Sequence, residues 1–202
     1  GDRLVMVDHL GRLVDGDRLM YVIALDRQAQ GELRGPVVGT VMSNLGLEQA
    51  LRARGIEFMR AAVGDRYVLE LLKQHGGVLG GETSGHLLCL DRTTTGDGLV
   101  SALQVLAVMK RTGRSLAELA AGMPQFPQVM VNVRVRERID PRASEQIQAH
   151  VRRVEEALGA TGRVVLRASG TEPLIRVMVE GQDETQVSKY ANELAETVRL
   201  AV

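Results

Sequence analysis

Tryptophan is missing from this 202-residue chain and aromatic residues make up only 2% of it. Leu, Val, Ile, Ala and Met must therefore fill its core, and stacking platforms for bases are scarce. Excess charge is also missing: 25 basic residues balance 25 acidic ones, and the two signs are interleaved. That excludes the electrostatic footprint of a nucleic-acid partner. No apolar run approaches the ~20 residues of a membrane-spanning helix. The most apolar stretch, Leu99 to Met109, is interrupted by Ser101 and Gln104, so no membrane association is expected. The single cysteine, Cys89, cannot form an internal disulfide, and its setting Leu87-Leu88-Cys89-Leu90 is that of an inert core thiol. No basic-then-apolar leader opens the chain, which points to a cytoplasmic protein.

What is present is ordinary globular material, 45% hydrophobic and 25% charged, in a length that suits two compact units. Strand-like runs alternate with helical patterns: Leu4 to Val7, a helix containing Leu19 to Ala24, Pro36 to Val38, a helix capped by Ser43 or Asn44, Ile56 to Val63, and Asp65 to Gln74. Val78-Leu79 and His86 to Leu90 then flank a Gly-rich loop. This alternation predicts an α/β architecture. Asp97 to Arg111 is apolar on nearly every face and is expected to lie deep between neighbours. Ser115 to Glu118 has the spacing of a capping box. The prolines in Met123-Pro124-Gln125-Phe126-Pro127 mark a linker. Beyond it, Val129 to Val135 alternates as a half-wet strand. Asp140-Pro141 is expected to start a helix with a stripe of Ile147, Val151, Val154 and Leu158. Strands at Arg163 to Leu166 and Leu174 to Val179 precede a helix over Asp183 to Leu200. The second unit is thus expected to be a small α+β domain, two helices covering one side of a mostly antiparallel sheet.

Four loops gather Gly with polar side chains where periodicity pauses. In Gly81-Glu82-Thr83-Ser84-Gly85-His86, Glu82 and Ser84 can grip neighbouring sugar hydroxyls while His86 donates, accepts or moves a proton. The same six residues also fit a polar turn with a lone histidine. Arg167-Ala168-Ser169-Gly170-Thr171-Glu172-Pro173, with Arg176 beyond, offers guanidinium groups, hydroxyls and flexible backbone N–H groups suited to a phosphate dianion. The plainer reading is a strand-connecting turn with exposed arginines. Thr93-Thr94-Thr95-Gly96-Asp97-Gly98 reads as helix-capping material. In Val63-Gly64-Asp65-Arg66-Tyr67, either Arg66 faces a ligand or Asp65 caps a helix and pairs with Arg66; spacing does not separate the two.

Together these loops resemble the α-D-phosphohexomutase superfamily, whose third domain carries Gly-Glu-x-Ser-Gly-His and whose fourth carries Arg-x-Ser-Gly/Asn-Thr. The segments around Val63 to Val68, Thr94 to Gly98, Phe126 to Val133 and Thr171 to Arg176, with Thr at position 83, look most like the branch acting on glucosamine phosphates. The resemblance implies an α/β/α third domain over residues 15–122 and a small α+β fourth domain over 128–202, with 1–14 as a remnant of the metal-loop domain. It implies that Glu82 and Ser84 hold sugar hydroxyls, with His86 beside them as proton carrier. Arg167, Ser169, Gly170, Thr171 and Arg176 would bind the phosphate that is not being transferred. The family isomerises hexosamine 6-phosphate and 1-phosphate with a phosphoserine, Mg2+ and a hexosamine 1,6-bisphosphate intermediate. It feeds amino-sugar nucleotide and cell-wall precursor synthesis. The metal loop of the family is Asp-Gly-Asp-Gly-Asp-Arg, and this sequence opens on Gly1-Asp2-Arg3, so the resemblance implies that Asp2 would be one metal ligand of three. The other two aspartates and the Ser-His-Asn-Pro phosphoserine loop are not in the sequence. The expectation is a C-terminal portion of a mutase, inactive alone and open to self-association through faces that would otherwise be covered. A phosphomannomutase or phosphoglucomutase portion, or a freestanding sugar-phosphate-binding module, are the alternatives.

Overall fold

The structure, a computed structural model, describes residues 1–135, 140–169 and 172–201. The chain divides into two compact units, Gly1–Gln125 and Phe126–Val202. Among the described residues no helix is long and apolar enough to cross a membrane.

The first unit opens with two-residue strands β1 (Met6–Val7) and β2 (Leu13–Val14), paired antiparallel. Asp8 organises the connection: its Oδ1 accepts the N–H groups of Leu10 and Arg12, and its Oδ2 pairs with the Arg12 guanidinium at 2.8 Å. Next come α1 (Gly16–Gln30), β3 (Val37–Thr40), α2 (Leu45–Arg52), β4 (Phe58–Ala61), α3 (Asp65–His75), β5 (Leu79–Gly81), β6 (Leu87–Cys89), α4 (Gly98–Thr112) and α5 (Leu116–Ala120). Side-chain caps start several helices: Asp15 accepts from Arg18 N–H, Asn44 from Gly46 N–H, and Ser115 forms a complete capping box with Glu118.

The sheet runs β4-β3-β5-β6, parallel except for the antiparallel β5–β6 hairpin. Both of its faces are covered, as parallel strands require. The two-residue period of a strand sorts the side chains. Val37, Leu79, Leu87 and Cys89 join the core shared with α1, α2 and α4, whereas Val38 and Leu88 join Val68 and Leu72 of α3 on the other face. This is a three-layer α/β/α arrangement. Cys89 lies in it as a fully buried thiol, its pKa pushed up by burial.

The structure corrects one expectation here. Helix α4 is one-sided: Ser101, Val105 and Val108 are buried, while Leu99 is 77% and Leu103 62% exposed. An all-apolar helical pattern states what a helix could bury, and the neighbours decide which face is covered.

The second unit contains β7 (Gln128–Arg134), α6 (Glu145–Leu158), β8 (Gly162–Ala168), β9 (Leu174–Gly181) and α7 (Glu184–Ala201). Its sheet, β7-β9-β8, is antiparallel throughout. Ile147, Val154 and Leu158 of α6 and Val187, Leu194 and Val198 of α7 meet Val133, Ile175, Val177 and Val179 in its own core. The helix start also differs from expectation. Asp140 caps only a short 3-10 turn, Pro141–Ala143, and Ser144 caps α6 instead, because two cap residues follow one another closely.

Candidate functional site

In an open α/β sheet, ligands gather beyond the carboxyl ends of the strands, where the strand order reverses. In the first unit this is the crevice between β3 and β5, since the chain passes from β3 to β4 on one side and then to β5 on the other. The Gly81–His86 loop lies there. Glu82 N–H donates to the His86 carbonyl at 3.0 Å and Gly85 N–H to the Glu82 carbonyl at 2.9 Å, closing the hairpin. Gly85 has φ +91°, and a Cβ there would lie 2.1 Å from the Leu4 carbonyl oxygen, so only glycine fits. The Glu82 carboxylate accepts the N–H of Gly64, just before α3, at 3.1 Å. Ser84 is exposed in the turn.

His86 is buried between two acids. Its Nδ1 lies 3.2 Å from Asp2 Oδ2 and its Nε2 lies 3.7 Å from Asp65 Oδ2. The ring packs on Gly96, where a Cβ would come within 2.1 Å of Nε2. Nδ1 is within hydrogen-bond distance of the Asp2 carboxylate, whereas Nε2 is buried without a hydrogen-bond partner and has the Asp65 carboxylate beyond that distance, which leaves one nitrogen free to exchange a proton. Asp2 has its carboxyl held below the ordinary value, first by a backbone N–H and then by His86.

Glu82, His86, Asp2 and Asp65 are thus brought together, and Asp65 is the member that spacing did not reveal. Arg66 is not: its guanidinium is 79% exposed and pairs with Glu70 at 2.9 Å, while Asp65 accepts from the Arg66 N–H. Asp97 caps α4, as expected, accepting the N–H groups of Leu99 and Val100. For Mg2+ the fit fails. Among the described residues no three His, Cys, Asp or Glu side chains converge as a metal site. One carboxylate engaged with a histidine falls short of the octahedral oxygen shell Mg2+ demands.

In the second unit, Arg167 and Arg176 are directly opposite on β8 and β9, and Asn132 of β7 is opposite Arg176. The three lie in one row on the face away from the helices, since they alternate with the core residues Val133, Ile175 and Val177. Like charges opposed across strands are destabilising unless an anion lies between them. Burial, and then the charge of Arg176, pull the Arg167 guanidinium below its usual range. The Nε of each arginine is buried without a hydrogen-bond partner. Ser169 is buried beside them, its N–H donating to the Leu174 carbonyl at 2.8 Å and its Oγ accepting from Glu172 N–H. Gly170 and Thr171 lie outside the described residues. Asn132 is an addition, and its place in the Val129–Val135 alternation was the available signal.

Comparison with known proteins gives this arrangement its class. Residues 15–126 match phosphoglucomutase/phosphomannomutase, alpha/beta/alpha domain III, and residues 130–197 match the C-terminal domain of the same family. The chain belongs to the phosphoglucomutase/phosphomannomutase family. Within it, the chain is similar to the phosphoglucosamine mutase of Methylococcus capsulatus, 61% identical over 201 residues, covering 100% of this chain and 45% of that protein. The phosphoglucosamine mutase of Escherichia coli O7:K1 is 56% identical, covering 98% of this chain and 45% of that protein. The chain therefore spans about half the length of these relatives. The fold is also that of Aspergillus fumigatus N-acetylphosphoglucosamine mutase, solved in complex with GlcNAc-6P and magnesium. There the TM-score is 0.80 at 21% identity, covering 98% of this chain and 50% of that one.

Proposed function

We propose that this chain serves the interconversion of glucosamine 6-phosphate and glucosamine 1-phosphate, contributing the sugar grip and the clamp for the phosphate not being transferred. Glu82 and Ser84 hold sugar hydroxyls, and His86, fixed between Asp2 and Asp65, carries protons beside them. Arg167, Ser169, Gly170, Thr171 and Arg176 receive the distal phosphate. Domain boundaries of 15–122 and 128–202 go with this assignment. What carries the reading is the likeness to a phosphoglucosamine mutase at 61% identity, which runs through both loops. The relatives at this level favour glucosamine over mannose or glucose phosphates. Mg2+ and a bisphosphate intermediate belong to the whole-enzyme reaction, and the residues here do not fit the metal by themselves.

The test is calorimetric titration of the purified 202-residue chain with glucosamine, glucose and mannose 6-phosphates, alongside a mutase assay. Binding without turnover is expected, with glucosamine 6-phosphate preferred. Arg167→Ala should weaken binding by about tenfold or more, the loss of a charge-assisted hydrogen bond of about 1.5–3 kcal/mol. If glucosamine 6-phosphate bound worst, the specificity assignment would fail; robust turnover by the chain alone would overturn the division of labour.

A further inference from the structure

The crevice has two lips, the loop after β3 and the loop after β5, and one buried carboxylate joins them. Asp17, in the first turn of α1, is fully buried. Its Oδ2 accepts the N–H of Asn44, from the first lip, at 2.8 Å, and the hydroxyl of Thr83, from the second, at 2.8 Å. Alongside, Gly16 N–H donates to the Thr83 carbonyl at 3.0 Å. A Cβ at Gly16 would lie 2.1 Å from the Glu82 carbonyl oxygen. The turn between Glu82 and Ser84 is thus seated on the N-terminus of α1 by a side-chain bond, a backbone bond and a close approach that only glycine allows.

None of this is needed to start the helix. Asp15 already caps α1. Burying a second carboxylate next to the cap is costly unless its hydrogen bonds do something that a neutral residue would not. Asn44 and Thr83 are both loop residues, at sequence separations of 27 and 66 from Asp17, and Ser43 of the first loop adds a further side-chain hydrogen bond.

We propose that Asp17 and Thr83 are positioning residues of the sugar grip: the Asp17 carboxylate, which accepts from Thr83 of the loop after β5 and from Asn44 of the loop after β3, locks the two loops together and sets the orientation of Glu82 and Ser84. Neither residue touches the sugar. The proposal rests on the reading above that Glu82 and Ser84 bind the hexose.

The test uses the full chain and two readouts, glucosamine 6-phosphate affinity and hydrogen exchange of the Asn44, Glu82 and Gly85 amides. Thr83→Val keeps the shape and loses the donor; Thr83→Ser keeps the donor. Thr83→Val should lower affinity by about tenfold, the scale of one buried hydrogen bond, and speed exchange at the three amides while leaving those of α7 unchanged. Thr83→Ser should stay within about twofold of wild type. Gly16→Ala, which pushes on the Glu82 carbonyl, should reproduce the Thr83→Val loss. Thr83→Val matching Thr83→Ser in both readouts would overturn the proposal. A wild-type chain that bound no hexose phosphate would instead overturn the functional reading, and the exchange data keep the two failures apart.

Discussion

Asp17 has a second consequence, in the pH dependence of stability. Burial pushes its carboxyl up from 3.8 to about 6, against the lowering effect of its hydrogen bonds from Asn44, Thr83 and Ser43. Between those two values the folded chain holds a proton that the unfolded chain releases. Acidification through that window therefore stabilises the fold, and the gain is lost as pH rises through about 6. The displacement corresponds to on the order of 2–3 kcal/mol at its fullest. Asp17→Asn removes this titration while keeping an oxygen that can accept the same bonds. In urea unfolding, the variant should gain on wild type by on the order of 2 kcal/mol between pH 4 and pH 7. A difference independent of pH would show that Asp17 does not titrate in this window. The charge of Asp15 acts on it in the same direction as burial.

At the scale of the element, α4 carries the sharpest contrast between pattern and packing. Val105 is fully buried and Leu103 is 62% exposed on the same helix. Val105→Ala should cost about 1–3 kcal/mol through lost burial and a residual cavity, whereas Leu103→Ala should stay within about 0.5 kcal/mol. Equal losses in thermal unfolding would mean that the helix is covered on both sides. The sequence made α4 legible as a helix, since Asp97 caps it and Gly113 ends it, but could not say which side its neighbours occupy. Similarly, β2 is two residues long, too short for a period of two to register, so β1 stood without a visible partner. The Gly-rich loops were legible because a tight turn where the periodic pattern pauses leaves a local mark in composition. Asp17 and Asp65 were not, because the contacts that give them meaning join segments far apart in the chain: Thr83 is 66 residues from Asp17, and His86 reaches Asp65 from the next loop.

Over the whole molecule, the division into units has an energetic meaning. Among the described residues, the core of the second unit, with Leu194, Val187 and Ala191 of α7 against β9, contains no member of the first unit's clusters. A unit that owns its core can unfold without dissolving the other, and each carries its own candidate loop. Leu194 is fully buried, and Leu194→Ala should cost the second unit about 2–5 kcal/mol. For a domain of this size that lowers its melting transition by roughly 10 °C or more. Hydrogen exchange in the β5–β6 hairpin and in α1 should not change, since their buried residues belong to another core cluster. Calorimetry of the variant should then resolve a low transition, accompanied by loss of protection in β9 and α7, and a second one at the wild-type position of the first unit. A single transition that moved as a whole, with faster exchange in the β5–β6 hairpin, would mean that the two loops are stabilised together. In that case the two candidate loops could not be altered independently, and Arg167→Ala would have to be judged with the stability of the first unit measured beside it.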